Sequence, residues 1–235
     1  MKIHYLQHEP FEDLAYIERW ALEKDFQISR TLLFKNEAFP KVGDFDWLFI
    51  MGGSMNIYEH EKYPWLKEEK DFIKRAIKRN VVVIGICLGA QLVADVLGGK
   101  VTRNAYKEIG WHEVSFIDKN GTLDIFSGIP SSFIAFHWHG DTFSVPENCS
   151  LFAKSEACRH QGFLYNEGRV LALQFHLEAS PESIDVMLEK CSSELIGSKY
   201  VQSIEEIRTY SKIEEIYEIL SCLLNNVYHK FIAYG

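Results

Sequence analysis

The chain has 235 residues and a mass of 27.2 kDa, the size of one large domain or at most two small ones. Its composition, 47% hydrophobic and 25% charged residues, is typical of globular proteins and excludes disordered, collagen-like and coiled-coil chains. The formal net charge is −8, because 33 acidic residues outnumber 25 basic ones, and this argues against a nucleic-acid partner.

The five cysteines are widely spaced and include no Cys-x-x-Cys pair, which argues against a disulfide framework and against a cysteine zinc site. The N-terminus has no apolar stretch of signal-peptide length. No apolar run approaches the roughly 20 residues of a membrane span. We therefore expect a cytoplasmic protein with reduced thiols and no membrane partner.

In the first half of the chain, apolar runs of strand length alternate with stretches of helical period, which predicts an α/β architecture. The run 81–86 is apolar throughout, as in a parallel strand covered on both faces. The predicted strands are 2–7, 27–34, 46–51 and 81–86, and the predicted helices are 13–24, 64–79 and 88–97.

Shorter predicted strands joined by turns follow, and the chain then becomes helical. These strands are 100–103, 110–117, 132–138, 151–155, 161–165 and 170–175. Ser180 before Pro181 predicts a helix start, and Ser203 and Ser211 each begin a capping-box spacing. Since no linker or repeat is present, we expect one domain over 1–235, with a core of about 1–195 and a helical extension of about 196–235.

A cysteine stands where strand 81–86 meets helix 88–97, with a glycine two residues away on each side. Cys87 between Gly85 and Gly89 matches the cysteine form of a nucleophile elbow, a turn too sharp for side chains at the flanking positions. Unpaired amides and the dipole at a helix start favour a thiolate, and the Leu88 amide is a candidate oxyanion donor. The cysteines without this context are predicted to be structural: Cys149, Cys158, Cys191 and Cys222.

A cysteine nucleophile needs a base, and the base needs an orienting group. The apolar strand that begins at 170 carries His176 and Glu178 at its end, two residues apart, so that period-two geometry points both to the same face of one rigid strand. A carboxylate beside the imidazole would fix its tautomer and favour its protonated form. The alternative is an exposed strand end that carries two polar residues. Beside the elbow, we expect a triad of Cys87, His176 and Glu178.

Residues 85–91 (GICLGAQ) together with residues 174–178 (QFHLE) resemble the two motifs of class I (triad-type) glutamine amidotransferases, close to the amidotransferase part of GMP synthetase. The resemblance spans roughly residues 45–180. It implies a flavodoxin-like α/β fold of three layers, with a mostly parallel central sheet, flanking helices, small additional antiparallel strands and C-terminal helices. Leu177 stands where the family usually has proline, on the face turned away from the site.

The resemblance also implies a reaction. Cys87 would attack the side-chain carboxamide of glutamine, His176 would transfer the proton and Glu178 would orient it. Gly52-Gly53 matches the oxyanion loop, with the amides of Gly53 and Leu88 as donors. The substrate-binding residues implied by the resemblance, with Trp138 as a hydrophobic wall, are Gly52, Gln91, Trp138, His139, Gly140 and Asp141.

His137 and His139 share a strand face, which leaves a metal site as an alternative. No cysteine or third histidine lies at ligand spacing, and we therefore expect no metal. Neither a P-loop nor the S-G-G-x-D-S loop of ATP pyrophosphatases is present, so that we expect no cofactor and no ATP-using half. The acidic run 59–69 is predicted to be a solvated helix face.

Three functional hypotheses remain open at this point. The first is a glutaminase that hydrolyses glutamine through a thioester intermediate and supplies the ammonia to a separate synthetase subunit. The second is a stand-alone γ-glutamyl peptidase that acts on glutathione-like amides. The third, a non-enzymatic binding module, is disfavoured because such a module would need none of Cys87, His176 and Glu178.

Overall fold

The computed structural model describes residues 1–117 and 124–231. Its strands are β1 (Lys2–Gln7), β2 (Gln27–Leu32), β3 (Trp47–Ile50), β4 (Val82–Ile86), β5 (Val101–Phe116), β6 (Ser132–Phe143), β7 (Ser150–Lys154), β8 (Gly162–Tyr165) and β9 (Val170–Leu173). Its α-helices are α1 (Tyr16–Leu22), α2 (Trp65–Lys78), α3 (Leu88–Val96), α4 (Pro181–Cys191), α5 (Ile204–Arg208) and α6 (Ile213–Phe231). None of these helices is long and apolar enough to span a bilayer.

Within the described residues the strands form one mixed sheet in the order β2-β1-β3-β4-β9-β8-β7-β5-β6. The pairings from β2 to β9 are parallel, and those from β9 to β6 are antiparallel. The α/β fold with flanking helices is therefore confirmed. The expectation of only small antiparallel strands was wrong, because β5 and β6 are the longest strands of this sheet.

Apolar side chains alternate between the two faces of the parallel strands, as period-two geometry requires. On β3, Trp47 and Phe49 join one apolar cluster, and Leu48 and Ile50 join the other. Helices α1, α4 and α6 bury their apolar faces in the first cluster, and α2 and α3 bury theirs in the second. The helices thus pack into two separate apolar clusters, and the three-layer arrangement itself stays a prediction.

Two predicted strands, 100–103 and 110–117, are one continuous strand, β5, which has a register irregularity between Arg103 and Glu108. At the other end of the chain, β9 stops at Leu173, short of the predicted residue 175. The capping boxes at Ser180 and Ser203 are present. Helix α6 begins at Ile213 instead of directly after Ser211.

The carboxyl ends of the parallel strands meet at one edge of the sheet. His8 follows β1, Gly52 and Gly53 follow β3, Cys87 follows β4, and the segment with His176 follows β9. In open α/β sheets this edge is where ligands bind. The fold thus collects residues far apart in sequence around the start of α3.

Candidate active site

Cys87 forms the turn between β4 and α3 with a positive φ of 50° and a ψ of −105°. A Cβ on Gly85 would lie 2.5 Å from the carbonyl oxygen of Gly89, and a Cβ on Gly89 would collide with the carbonyl oxygen of Ile50. The glycines are therefore needed so that α3 can pack closely against β3 and β4. The Cys87 amide donates to Leu173 O at 2.7 Å, which ties the elbow to β9.

The Cys87 side chain is 7% exposed and lies among polar groups. Gln174 Nε2 donates to its sulfur at 3.6 Å, and the thiol faces the carbonyl oxygen of Trp138 at 3.7 Å. Gln91 Nε2 in turn donates to Gln174 Oε1 at 3.2 Å. Gln174 is therefore an amide donor to the sulfur, and Gln91 holds it in place.

His176 and Glu178 form a buried pair in which Nδ1 lies 2.6 Å from Oε1. Within residues 1–117 and 124–231, Nε2 of His176 is buried without a hydrogen-bond partner. Burial alone would lower the pKa of His176, but the Glu178 carboxylate and the Cys87 sulfur raise it well above its ordinary value. The ring is thus poised as a cation with one N–H left for Cys87 or for a substrate.

The pair does not lie on a regular strand, contrary to the sequence interpretation. After β9 ends at Leu173, His176 forms an isolated bridge with Phe136 of β6 through amide–carbonyl bonds of 2.8 and 3.3 Å. The Glu178 carbonyl accepts the Tyr16 amide at 2.9 Å, which fixes the segment to the start of α1. Contacts from two other elements therefore provide the rigidity that was expected from the strand.

Two backbone amides stand beside Cys87 without an acceptor among the described residues, those of Gly53 and Leu88. A Cβ on Gly53 would lie 2.8 Å from the Leu88 side chain, and one on Gly52 would lie 3.4 Å from His176 Cε1 and would collide with the Glu12 carboxylate. The Gly52-Gly53 loop therefore packs closely against the start of α3 and the His176 ring.

A cleft of about 570 Å³ opens over Cys87. Most of the residues singled out from the sequence line it, and Gly52 and Glu178 line an adjacent smaller pocket behind the His176 ring. The predicted residues in the cleft itself are Gly53, Cys87, Leu88, Gln91, Trp138, His139, Gly140, Asp141 and His176.

His139 is held by protein groups on both ring nitrogens, although it reaches the cleft. Its Nδ1 lies 3.1 Å from Asp141 O, and its Nε2 lies 3.0 Å from the buried carboxylate of Glu108. Asp141 Oδ2 accepts from Asn56 Nδ2 at 2.9 Å, so this segment is also tied to the loop after β3. His139 is thus placed to orient the Gly140-Asp141 part of β6.

Glu108, His137 and His139 have ligand-type atoms within 4.8 Å of one another. Hydrogen bonds account for part of this cluster, since Glu108 Oε2 accepts from Gln161 Nε2 at 2.6 Å and from His139, whereas Glu108 Oε1 and His137 Nε2 are buried without a partner among the described residues. Burial opposes ionisation of Glu108, but His137 and His139 hold its pKa at about 2, and burial lowers the pKa of His137 to about 3. The expectation that no metal binds stays a prediction.

Sequence reasoning missed several cleft residues. Glu12 approaches His176 from the loop after β1, and burial raises the pKa of its carboxyl to about 7. Lys107 pairs with Glu194 at 2.9 Å at the cleft, and Glu194 also accepts from Trp138 Nε1 at 3.3 Å. None of these residues lies in a motif. Only Glu12, a few residues after the predicted strand 2–7, had a position in the sequence that suggested a place near the site.

The acidic run 59–69 is not solvated throughout. Glu61 and Glu68 are exposed, but Glu69 is fully buried and pairs with His8. Glu69 lies on the apolar face of α2 together with Trp65, Leu66, Phe72 and Ile73. The helical period of that face was a signal that could have identified a buried carboxylate.

The family model described as glutamine amidotransferase class-I matches residues 21–192. The chain belongs to this family. Its members are enzymes of the cysteine-nucleophile amidohydrolase type, and the chain is therefore a class I glutamine amidotransferase-family enzyme.

Relatives of similar length share this assignment. The glutamine amidotransferase-like protein YfeJ of Salmonella typhimurium is 28% identical over 90% of this chain and 91% of its own length. A glutamine-hydrolyzing GMP synthase subunit of Picrophilus torridus is 30% identical over 68% of this chain and 82% of its own. A crystal structure of a glutamine amidotransferase from Thermotoga maritima is 31% identical, covers 97% of each chain and has a TM-score of 0.87.

Proposed function

We propose that this enzyme hydrolyses the side-chain amide of glutamine to glutamate and ammonia, with Cys87 as nucleophile, His176 as proton carrier and Glu178 as its orienting partner. The observation that carries the proposal is the buried His176–Glu178 pair, joined at 2.6 Å, whose Nε2 is left without a partner beside Cys87. A cysteine at an elbow, a base and an orienting carboxylate are the parts that thiol acyl transfer requires.

The proposed reaction has two halves. The Cys87 thiolate attacks the carboxamide carbon, and the oxygen that becomes negative accepts hydrogen bonds from the amides of Gly53 and Leu88. The C–N bond then breaks while His176 Nε2 gives its proton to the departing nitrogen, which leaves as ammonia and produces a glutamyl thioester. Water next attacks the thioester, His176 takes its proton, and glutamate and the Cys87 thiolate are released.

The cleft supplies groups for both ends of a γ-glutamyl substrate. We assign the α-amino and α-carboxylate groups to the part of the cleft lined by Gln91, Trp138 and the His139-Gly140-Asp141 segment. Asp141 supplies a negative charge suited to an ammonium group, and Arg103 and Lys107 supply positive charge in the same cleft. With this assignment, the reacting amide of the substrate lies next to Cys87.

We further propose that the ammonia passes to a separate synthetase. The similarity to relatives named as individual subunits of a glutamine-hydrolyzing GMP synthase supports an ammonia-accepting partner, because such a name denotes one part of an assembly. The acceptor itself is not assigned by anything in the chain. Addition of a candidate synthetase should raise the rate of glutamine hydrolysis.

A second candidate function is favoured by the size of the cleft. At about 570 Å³ it lies within the range of roughly 300–1,000 Å³ that holds drug-sized ligands, and it can accept more than a γ-glutamyl group. A γ-glutamyl peptide would place its amine-side residue in the remaining space. The leaving group therefore distinguishes a glutaminase from a γ-glutamyl peptidase.

The test is a comparison of kcat/KM for glutamine and for a γ-glutamyl dipeptide, with the wild type and with triad variants. We expect glutamine to be the better substrate. A Cys87→Ala or His176→Ala variant should lose nearly all turnover, and Glu178→Gln should retain a measurable part. A dipeptide preference of roughly 100-fold, about 2.7 kcal/mol in the transition state, would favour the peptidase. Full activity of His176→Ala would rule out both proposals.

A further inference from the structure

His8 and Glu69 form a buried pair behind the Gly52-Gly53 loop. His8 is the first residue after β1, and Glu69 lies on the face of α2 that packs against the sheet. Nε2 of His8 lies 2.8 Å from Glu69 Oε1, and neither side chain has any solvent exposure. Removing two charges from water is costly and is offset only where the hydrogen bonds are good. A pair in this position therefore points to a role beyond packing.

The other nitrogen of His8 bonds the loop itself. Nδ1 lies 3.0 Å from the carbonyl oxygen of Gly52. A carbonyl and an ionised carboxylate can only accept hydrogen bonds, so that with Glu69 ionised both ring nitrogens carry hydrogen and the ring is an imidazolium. Burial alone would lower the pKa of His8, but Glu69 and the Gly52 carbonyl raise it. The Trp65 ring packs against the imidazole with centroids 5.5 Å apart.

The carbonyl of Gly52 and the amide of Gly53 belong to the same planar peptide group. In a trans peptide the C=O and N–H bonds point in opposite directions. An anchor on the carbonyl therefore fixes the direction of the Gly53 N–H, which here has no acceptor among the described residues. Gly53 lines the cleft together with Cys87. Glycine on both sides of this bond would otherwise leave the peptide free to rotate.

We infer that His8, held by Glu69, is a positioning residue that keeps the Gly53 N–H directed at the oxyanion. The inference rests on the proposed function, because it assigns this N–H to the oxygen of the tetrahedral intermediate. A cation on the carbonyl also polarises the peptide, which strengthens the N–H as a donor. Glu69 keeps the His8 ring charged and fixes its plane. His8 and Glu69 therefore affect turnover only through the Gly52-Gly53 loop.

Two double variants separate positioning from packing. His8→Leu/Glu69→Met removes the donor without leaving a lone buried charge, which protects the fold. His8→Asn/Glu69→Met also lacks the ion pair but restores a donor to Gly52 O, since Asn Nδ2 occupies the place of Nδ1. Loss of an oxyanion donor costs roughly 10²–10³ in kcat. We expect about a 100-fold fall in kcat for the first variant, little change in KM, and at least about tenfold recovery in the second.

Two further measurements are independent of the oxyanion. The rate of Cys87 alkylation by iodoacetamide should be the same in the wild type and both variants, because no tetrahedral carbon forms. His4→Leu is the matched control: it removes a buried histidine of β1, the strand that leads to His8, whose ring bonds Ser29 and Thr31, and it should leave kcat unchanged. A parallel loss in both double variants, or an unchanged kcat in the first, would overturn the positioning role.

The Gly53 amide resonance decides the inference even if the proposed function fails. In ¹⁵N-labelled protein that resonance should move in His8→Leu/Glu69→Met and return towards its wild-type position in His8→Asn/Glu69→Met. This readout needs no substrate. A wild type that hydrolyses neither glutamine nor a γ-glutamyl dipeptide would refute the proposed function alone, whereas a Gly53 resonance at one position in all three proteins would refute the positioning role.

Discussion

Cys87 combines a reactive side chain with a backbone conformation that residues other than glycine rarely adopt. Its φ of 50° is in the left-handed region, where a Cβ crowds the neighbouring carbonyl at a cost of about 1–2 kcal/mol. The strain persists because β4, α3 and the bond to Leu173 hold the turn on all sides. A cysteine at this point, whose Cβ causes the strain, therefore lowers the stability of the fold.

This strain predicts different stabilities for two inactive variants. Cys87→Ala removes the thiol and keeps the Cβ, whereas Cys87→Gly removes both and relieves the crowding. Since glycine also makes the unfolded chain more flexible, we expect a net advantage of up to about 1 kcal/mol for Cys87→Gly over Cys87→Ala in urea unfolding. If Cys87→Gly is clearly the less stable of the two, the elbow is not strained.

Glu12 gives the protein a pH-dependent stability. Burial raises its pKa to about 7 from an ordinary value near 4.5, while His176 and His8 oppose the rise and Glu9 and Glu178 add to it. Between these values the folded protein binds more protons than the unfolded chain, so that stability falls as pH rises from about 4.5 to 7.

Glu12→Gln removes this dependence, and the variant should gain stability over the wild type as the pH is raised. We expect the difference in free energy of unfolding to grow by about 1–3 kcal/mol between pH 5 and pH 8. Other titrating groups are common to both proteins and cancel in the difference. Glu68→Gln on the exposed face of α2 is the control, and its difference should be independent of pH. A flat difference for Glu12→Gln would mean that the carboxyl ionises normally.

The residues of the site differ in how much of the sequence is needed to identify them. Cys87, His176 and Glu178 could be singled out because each motif contains its own explanation, glycines around a turn or a histidine and a glutamate at a strand end. Glu12, His8 and Glu69 carry only a weaker signal, a place near a strand end or on a helix face, which does not show the groups that they meet. That information depends on the order of strands in the sheet, and no short window of sequence contains it.

At the scale of elements, prediction succeeded where a strand is buried on both faces. The boundaries of β1 agree, those of β3 differ by one residue at each end, and those of β4 differ by one residue at the start. It failed along β5, whose polar middle around Asn104 to Lys107 has no strand pattern. The pairs with β6 stop at Arg103 and resume at Glu108, so that residues 104–107 form an irregularity in the ladder, and the pairing on either side joins the two predicted strands into one.

Helix α3 depends on Gly89 for its distance from β3. A Cβ at this position would collide with the Ile50 carbonyl, which is backbone and cannot move aside by a change of rotamer. We expect Gly89→Ala to lower the free energy of unfolding by about 1–3 kcal/mol and to displace the Cys87 turn. Urea unfolding measures the first effect, and the rate of Cys87 alkylation measures the second.

Gly197→Ala is the matched control for that change. A Cβ at residue 197 would meet no atom within 4 Å. The free energy of unfolding of Gly197→Ala should therefore stay within about 0.5 kcal/mol of the wild-type value. Equal stabilities for the two variants would show that α3 can shift away from β3 without cost, and the elbow would then owe its geometry to other contacts.

At the scale of the whole molecule, the last helix is joined to the first. Trp20 Nε1 of α1 donates to Asn225 Oδ1 of α6 at 3.0 Å, and Tyr217 of α6 donates to Glu23 at 2.8 Å. Buried side chains of α6 belong to the same apolar cluster as Trp47 and Phe49 of the sheet. The family match ends at residue 192, and this helix therefore extends the core beyond the part that the family model describes.

We propose that residues 1–235 unfold as one domain, and Leu224 tests this. Leu224 is 1% exposed on α6, and Leu224→Ala should cost about 2–5 kcal/mol through lost burial and a cavity. In a single cooperative unit, circular dichroism and protection of the 1% exposed Cys158 from alkylation report the same urea midpoint, and the variant lowers both equally. Ser221→Ala, on the same helix and less buried, is the control and should shift neither. If Leu224→Ala lowers the helical signal early while Cys158 stays protected, α6 unfolds separately and the fold around Cys158 does not depend on it.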